Sequence, residues 1–423
     1  MSKRTYRAVQ VNEVNVDQLA EHWAGKRVVV AADAAKWDFV AAVMGEDQSV
    51  ALTVKWRAPE QTRLFLALVA ALASVAQVEF VLESTGTYGD PLRFLVAGAG
   101  IPVFRVSTKR CHDGAEVYDG VPSHHDAKSA AVIGWLHLEG RSERWVIKTE
   151  AERDLAAAVE QMALYDSDFH TYANRLEAKL ARHFPELTEL LELGSATMLA
   201  LLQRYGEPGA ITADPKGADE LMKRVGGTML SAEKRRKVLD AARESTGASP
   251  SRGECALVQE LAQETDRHRR AAHEARAWVE KMSVGLEPTQ HLAPVLGRAT
   301  AAVVVVEAGD PRDYRCPAAY VKSLGLNLKE RSSGAHKGQL KITKRGSGRA
   351  RQYLFLAVLR LIQSDPVMRA WYDRKAERDG GKVKLKAVVA LMRKLAAALW
   401  HVAQGQAFDS TKLLDVRRLG LAA

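Results

Sequence analysis

Three acidic residues in the first third of the 423-residue chain are candidates for metal-assisted chemistry. Asp33 ends an apolar run, RVVVAAD, Glu83 ends a second run, VEFVLE, and Asp126 opens the helical pattern DAKSAAVIGWLHL. If the two runs are neighbouring strands, both carboxylates emerge at one edge of a sheet, where the helix could bring the third. Such oxygen ligands suit Mg²⁺, and two ions can assist phosphoryl transfer. The alternative is that these acids serve only as strand ends and a helix cap.

The elements around these acids follow a recognisable order. Short runs rich in β-formers at 27–33, 37–44 and 50–56 predict an antiparallel meander. A helix from Pro59 to about Ala76, a strand at 78–83, a helix at 90–99 and a strand at 101–106 come next. Strand–helix–strand order implies parallel pairing with right-handed crossovers. The order is that of a ribonuclease H-like fold, in which the strands ending at Asp33 and Glu83 are neighbours.

The middle of the chain, from about Glu150 to Met282, is predicted to be helical. Apolar residues recur there at spacings of three, four and seven, in a seam that Asp166 interrupts: Leu155, Val159, Met162, Phe169, Ala173, Leu176 and Leu180. A second long helix is predicted from about Glu254. The seam fits either a coiled-coil dimerisation segment or a helical bundle. The predicted class is therefore α/β plus α.

The positive charge of the chain is concentrated at one end. The chain has 61 Lys+Arg and 51 Asp+Glu, a net charge of +10. Residues 311–423 hold 24 basic and 8 acidic residues, a net of +16, which leaves −6 for the first 310. Clustered Lys and Arg gain affinity for phosphates by displacing counterions, so this end predicts a nucleic-acid partner. A solvated basic surface is the alternative.

Other features narrow the class of protein. The longest apolar run, 64–76, is too short to span a bilayer, so no membrane association is expected. Cys111, Cys255 and Cys316 lie far apart and form no metal-ligand pair, which favours a reduced cytoplasmic protein; association with the nucleoid is expected only if the partner is DNA. The segment LAPVLGRATAAVVVVEAGDP resembles a helix-hairpin-helix unit that cradles phosphates, although an ordinary pair of helices is the better interpretation of this segment taken alone.

Four segments together resemble one family. They are VVVAADAAKWDFVAAV, ESTGTYGDPLRFL at 83–95, YDGVPSHHDAKSAAVIG at 118–134, and the stretch from GDPRDYRC to RARQYLFLA at 309–357. In this order they are similar to the DEDD transposases of the insertion-sequence one-ten family, relatives of the Piv-type DNA invertases. The likeness covers roughly residues 26–405.

The resemblance implies a division into domains. An arm at 1–25 precedes a RuvC-like metal-binding domain at 26–149, and a helical or coiled-coil dimerisation segment follows at 150–284. A serine-bearing transposase domain occupies 285–405, and 406–423 form a tail.

Carried over onto this chain, the family's first three acids fall on Asp33, Glu83 and Asp126. The fourth should lie three residues later, where this chain has Ser129. If Asp126 is instead the fourth acid, Ser123 takes the third place. Either way one carboxylate is missing, and Asp113, Asp119 or His125 would have to substitute. The ion implied is Mg²⁺ or Mn²⁺.

The family also implies a serine nucleophile in a Ser-Gly pair. That pair is Ser333-Gly334, with Leu328 where proline is usual and Ser332 as an adjacent candidate. Basic residues near it are expected to contact phosphates: Lys337, Lys341, Lys344, Arg345, Arg349 and Arg351. A guide RNA and a homodimer or homotetramer are further implications.

These features predict an insertion-sequence transposase that cuts and rejoins DNA. The missing carboxylate leaves a second hypothesis, a catalytically impaired descendant that still binds nucleic acid. A third is a junction-resolving nuclease that uses only the first domain; it leaves the C-terminal resemblance without a role.

Overall fold

A computed structural model describes residues 6–84, 86–330, 338, 340–381 and 384–419. The chain forms two compact units, Met1–Lys148 and Thr149–Ala423. The first unit contains these strands and helices: β1 (Ala8–Gln10), α1 (Val16–Trp23), β2 (Arg27–Ala34), β3 (Asp38–Met44), β4 (Val50–Arg57), α2 (Thr62–Val75), β5 (Gln77–Glu83), α3 (Asp90–Gly98), β6 (Val103–Val106), α4 (Thr108–Asp119), α5 (Asp126–Leu138) and β7 (Glu143–Trp145).

The first unit is built on a seven-stranded mixed sheet with the order β1-β4-β3-β2-β5-β6-β7. Strands β2, β3 and β4 form an antiparallel meander, and β2 pairs in parallel with β5, as does β5 with β6. The predicted meander and the predicted parallel pairs are therefore confirmed. This arrangement is consistent with the predicted ribonuclease H-like fold.

Both faces of the central strand β2 are covered by helices. Val28 and Val30 pack with Phe65 and Leu68 of α2, whereas Val29 and Ala31 face the opposite core that includes α5. Alternate side chains of a strand point to opposite faces, so a strand buried on both sides is apolar throughout. This explains why RVVVAAD contains no polar residue between its ends.

The N-terminal segment belongs to this unit. Within residues 1–25, predicted to form an arm, β1 pairs in parallel with β4, and Trp23 of α1 is buried in the core beside α2. A three-residue strand is too short to show a period-two pattern, which is why the sequence did not indicate it.

The second unit is mainly helical. Its elements are α6 (Glu150–His183), α7 (Leu187–Leu190), α8 (Ala196–Tyr205), α9 (Pro208–Ala213), α10 (Pro215–Gly226), α11 (Ala232–Arg243), α12 (Arg252–Ser283), α13 (Glu287–Leu296), α14 (Arg298–Ala308), α15 (Pro317–Ser323), β8 (Leu328–Lys329), β9 (Lys341–Ile342), α16 (Gly348–Ser364), α17 (Pro366–Arg378), α18 (Lys384–Ala403), α19 (Ser410–Leu413) and α20 (Val416–Leu419). Among the described helices, none has both the length and the apolar character that crossing a bilayer requires.

The two long helices α6 and α12 pack against each other in antiparallel directions. Nη2 of Arg182, at the end of α6, lies 3.4 Å from Oε1 of Glu254, at the start of α12. Nearer the middle of both helices, Nδ1 of His268 lies 3.7 Å from Oδ2 of Asp168. Positions late in α6 therefore meet positions early in α12. The apolar seam of α6 is buried in two cores, one containing Met162 and the other containing Leu180. The seam therefore has a partner within the chain, and dimerisation through it stays a prediction.

The C-terminal helices share a third core. Helices α13 to α18 contribute most of its buried residues, and Leu414, in the segment predicted to be a tail, belongs to it as well. Helices α13 and α14 form the predicted helical hairpin around Gly297, and Arg360 of α16 donates to the Leu296 carbonyl at 2.5 Å. Strands β8 and β9 pair antiparallel.

Candidate active site

Strand register places the first two acids side by side. The parallel pairing of β2 with β5 aligns Ala32 with Leu82, and the next residues along the two strands are Asp33 and Glu83. Both side chains are half-buried at the edge where the strands end. Because register in a sheet with two buried faces cannot shift without turning apolar side chains to the wrong side, this placement is firmly determined.

Helix α5 brings the third acid to the same edge. It packs across β2, β3 and β5, and the close approach depends on Gly134, where a Cβ atom would lie 3.0 Å from the Cβ of Ala31. Asp126 is its first residue, and His125 caps it by accepting the Lys128 backbone N–H at Nδ1, 3.2 Å away. Ser129 follows one turn later on the same helix.

The electrostatics of Asp33 show that these residues come together. Burial raises the pKa of Asp33 to about 6, and the charges of Glu83 and Asp126 add to the rise. A polar interaction with the Ser129 hydroxyl opposes part of that shift. The three predicted acids and Ser129 therefore form one electrostatically coupled group.

Cys111 of α4 lies near the same group and was missed from the sequence. Burial raises the pKa of its thiol well above the usual range, and the charges of Glu83 and Asp33 contribute. An isolated cysteine in an amphipathic helix carries no sequence signal of this position. The raised pKa keeps the thiol protonated at neutral pH, so Cys111 acts here as a small apolar neighbour.

The donor chemistry of the group fits a divalent cation. Within the described parts of the chain, no three His, Cys, Asp or Glu side chains are already arranged as ligands of one ion. The three carboxylates nevertheless supply the hard oxygen atoms that Mg²⁺ and Mn²⁺ bind. Burial and then repulsion from Glu83 and Asp126 raise the pKa of Asp33, and a bound cation offsets such repulsion. Ser129 adds a hydroxyl to this set but no charge.

The residues that could have replaced the missing carboxylate already have local partners. Asp113 lies 2.6 Å from the amine of Lys109 on the surface of α4. Asp119 accepts from Lys128 at 2.8 Å, and His125 is the N-cap of α5. Ser123 is exposed in the segment that precedes α5. Ser129 lies near Asp33 at the position where the fourth acid was expected, and substitution by one of the other residues stays a prediction.

The basic residues of the C-terminal unit fall into two groups. Lys341, Lys344 and Arg345 are exposed on β9 and the turn after it. Arg349 donates to Glu307 at 2.7 Å, and Arg351 donates to the carbonyls of Leu324 and Gly346 at 3.1 and 3.0 Å. The first group is available for phosphates, whereas the second also holds the fold together. Ser332, Ser333 and Lys337 lie outside the described residues.

A polar cleft of about 580 Å³ lies among α6, α12 and α16. Asp166, Arg276, Arg349 and Tyr353 are among the residues that line it. The buried Tyr353 donates its hydroxyl to Asp166 at 3.3 Å, and burial followed by the charge of Asp166 raises the pKa of this tyrosine. The acid that interrupts the apolar seam of α6 is thus the partner of a buried hydroxyl.

Comparisons with known proteins agree with this architecture. Residues 30–185 match the model of the DEDD transposases of IS110, described as "Transposase", and residues 292–373 match "Transposase IS116/IS110/IS902 family". The chain is 26% identical to the "Insertion element IS110 uncharacterized 43.6 kDa protein" of Streptomyces coelicolor over 71% of this chain and 75% of the relative. It is 24% identical to the "Insertion element IS900 uncharacterized 42 kDa protein" of Mycobacterium paratuberculosis over 91% and 96%.

The two family matches fall on the parts of the chain that carry the acids and the basic residues. Such a family implies DNA as a partner and suggests dependence on a divalent metal. The chain belongs to the IS110-type DEDD transposases and is a DNA transposase of an insertion sequence.

Proposed function

We propose that this transposase cuts and rejoins DNA by combining a divalent metal site with a serine nucleophile. Asp33, Glu83 and Asp126 would hold Mg²⁺ or Mn²⁺, and Ser333 would attack the DNA. The observation that carries the proposal is the electrostatic coupling of these three acids at one sheet edge, to which Ser129 adds a polar interaction with Asp33.

The protein groups have distinct tasks at the metal site. When bound, the cation would stabilise negative charge that develops on the phosphate and favour loss of the proton from the attacking oxygen. With a pKa of about 6, Asp33 is mainly ionised at neutral pH and can contribute its charge. The Ser129 hydroxyl would orient the Asp33 carboxylate by a polar interaction, in the place where the family has a fourth acid.

The serine step conserves the energy of the broken bond. The Ser333 oxygen attacks phosphorus, a phosphoseryl ester forms, and the bond to the leaving deoxyribose oxygen breaks as that oxygen gains a proton. Attack by another strand's hydroxyl then reverses the chemistry and releases the serine. The exposed Lys341, Lys344 and Arg345, close in sequence, support the proposal because they can bind the phosphates around such a centre.

Further parts of the proposal rest on likeness to the family. A guide RNA would pair with donor and target DNA, and a homodimer or homotetramer would join the metal domain at 26–149 with the serine-bearing domain at 285–405. Residues 150–284 would contribute to assembly. The protein would act in the cytoplasm on the nucleoid.

A second candidate function is a binding protein without recombinase activity. Ser129 motivates it, because a hydroxyl is a poor ligand for Mg²⁺ and cannot replace the charge of a carboxylate. In this case the chain would bind guide RNA and DNA but would not cut. Ser129→Asp would then restore activity that the wild-type protein lacks.

The decisive experiment traps the protein–DNA intermediate. Wild-type protein is incubated with element-end DNA, guide RNA and Mg²⁺, and the products are separated under denaturing conditions. We expect a covalent adduct that disappears in Ser333→Ala and persists in Ser332→Ala. An adduct that survives Ser333→Ala contradicts the nucleophile assignment, and hydrolysed products without an adduct favour a plain nuclease. Binding without any reaction, together with rescue by Ser129→Asp, favours the impaired descendant.

A further inference from the structure

A fully buried lysine lies between the site residues of α5. Lys128 is only 1% exposed and occupies the first turn of the helix, between Asp126 and Ser129. Its amine lies 2.8 Å from Oδ1 of Asp119 and donates to the Val121 carbonyl at 2.5 Å. A buried ammonium is tolerated only where its donors find partners, so these contacts fix where the first turn can lie.

Asp119 connects this lysine to the N-terminal segment. Its Oδ2 accepts the hydroxyl of Tyr6 at 2.5 Å, and its Oδ1 also accepts the Val121 backbone N–H at 3.0 Å. The contacts with Lys128 and Tyr6 lower the pKa of Asp119 to about 2. The ring of Tyr6 packs edge-on against His125, the N-cap of α5, with centroids 4.6 Å apart. Three separate segments thus meet at the start of one helix.

We propose that Lys128, Asp119 and Tyr6 form a positioning clamp for the metal site. The inference rests on the proposed function, in which Asp126 binds the cation and Ser129 orients Asp33. The clamp residues act through the helix and touch no reacting group, since Lys128 turns inward to Asp119 while its neighbours Asp126 and Ser129 face the acidic group. Loosening the clamp releases the first turn of α5 and with it two of the four site positions.

The other end of α5 offers a matched control. His137 of the last turn lies 3.0 Å from Glu79, which also accepts from Arg27 at 2.7 Å. This contact is also a half-buried polar network that ties α5 to the sheet, but it lies three turns away from Asp126. A variant there tests whether any weakening of α5 has the same consequence.

The test measures Mn²⁺ binding to the full-length protein by the loss of the free-ion paramagnetic resonance signal, without DNA. Lys128→Met/Asp119→Asn removes both charges together, so neither remains buried alone, and Tyr6→Phe removes one hydroxyl. We expect the Mn²⁺ dissociation constant to rise about tenfold in the double variant. A rise of about threefold is expected in Tyr6→Phe, from the loss of one hydrogen bond. His137→Gln should lower thermal stability and leave the dissociation constant unchanged.

The outcomes separate the clamp from the metal site itself. Unchanged Mn²⁺ affinity in folded Tyr6→Phe and in the double variant overturns the clamp while the metal site stands. An equal loss of affinity in His137→Gln also overturns it, because the effect would then follow helix stability alone. Wild-type protein that binds no Mn²⁺ contradicts the proposed metal site, and the clamp with it. Should the double variant not fold, Tyr6→Phe alone decides.

Discussion

The acidic group of the first unit and the basic residues of the second are positioned by different means. Asp33 and Glu83 lie at paired strand ends whose register is held by apolar burial on both faces. Lys341, Lys344 and Arg345 are exposed on a two-residue strand and the turn that follows. Metal chemistry needs oxygen atoms placed with precision, whereas counterion displacement needs charge in the right region. Each kind of support matches the tolerance of the chemistry proposed for it.

The largest expected effect, on the rate of DNA cleavage, comes from removing one charge of the acidic group. Glu83→Gln preserves shape and removes one charge, so the metal site loses a ligand and the rate of DNA cleavage should fall by about a thousandfold, since a bound cation contributes several kcal/mol to such a transition state. Gel assays of cleavage and of DNA binding would show loss of the first with retention of the second. Asp113→Asn is the matched control, because that exposed acid pairs with Lys109 outside the group. Equal losses in both variants would contradict the proposed site.

Replacement of the exposed basic residues should weaken the salt dependence of DNA binding in proportion to the number of phosphate contacts removed. Replacing Lys341, Lys344 and Arg345 by Gln should reduce the slope of log affinity for DNA against log salt concentration by about two to three units, roughly one for each phosphate contact. Fluorescence anisotropy at several salt concentrations measures this slope. Lys237→Gln, an exposed lysine of α11 paired with Glu233, should leave the slope unchanged. An unaltered slope in the triple variant would remove these residues from the DNA interface.

The sequence predicted the parts of the molecule that repeat a local pattern. Apolar runs with turn-sized gaps located β2 to β6, and their order predicted that Asp33 and Glu83 end on adjacent strands. The approach of Ser129 to Asp33 and the position of Cys111 depend on how α4 and α5 pack on the sheet, which no local pattern encodes. The seam of α6 predicted a partner without identifying it, since burial of an apolar stripe is satisfied equally by α12 or by a second chain.

A smaller expected effect, on stability, distinguishes the basic residues that also hold the fold together from those that are exposed. Arg351 donates to the carbonyls of Leu324 and Gly346, and Gly346 is held at a φ of +127°, where an added Cβ would collide with the Ser323 carbonyl. Arg351→Met leaves two acceptors without a donor and should lower the free energy of unfolding by about 1–3 kcal/mol. Arg345→Met, at an exposed position, should be nearly neutral by urea denaturation. If the two variants are equally stable, Arg351 belongs with the solvent-facing group.

The smallest expected effect is on the free energy of unfolding in the absence of metal, when the acids are held close together. The pKa of Asp33 is raised from 3.8 in the unfolded chain to about 6 in the fold. The stability linked to its proton is therefore fully present below about pH 4 and is lost as the pH rises through 6. Asp33→Asn has no such proton to lose, so without divalent ions it should exceed the wild type in unfolding free energy at pH 7.5 by about 1 kcal/mol, after allowance for solvent screening.

Asp119→Asn should change the free energy of unfolding in the opposite direction, because the pKa of Asp119 is lowered by Lys128 and Tyr6. This variant should be less stable than the wild type at pH 7.5, with the difference shrinking as the pH falls toward 2. Urea denaturation across this pH range measures both variants. Addition of Mn²⁺ should then stabilise the wild type more than Asp33→Asn, since an ion that binds the folded state favours it by mass action. If Mn²⁺ raises the free energy of unfolding of Asp33→Asn as much as that of the wild type, the charge of Asp33 does not contribute to cation binding. The acidic group would then not be a metal site that includes Asp33, and its contrast with the phosphate-binding residues would no longer hold.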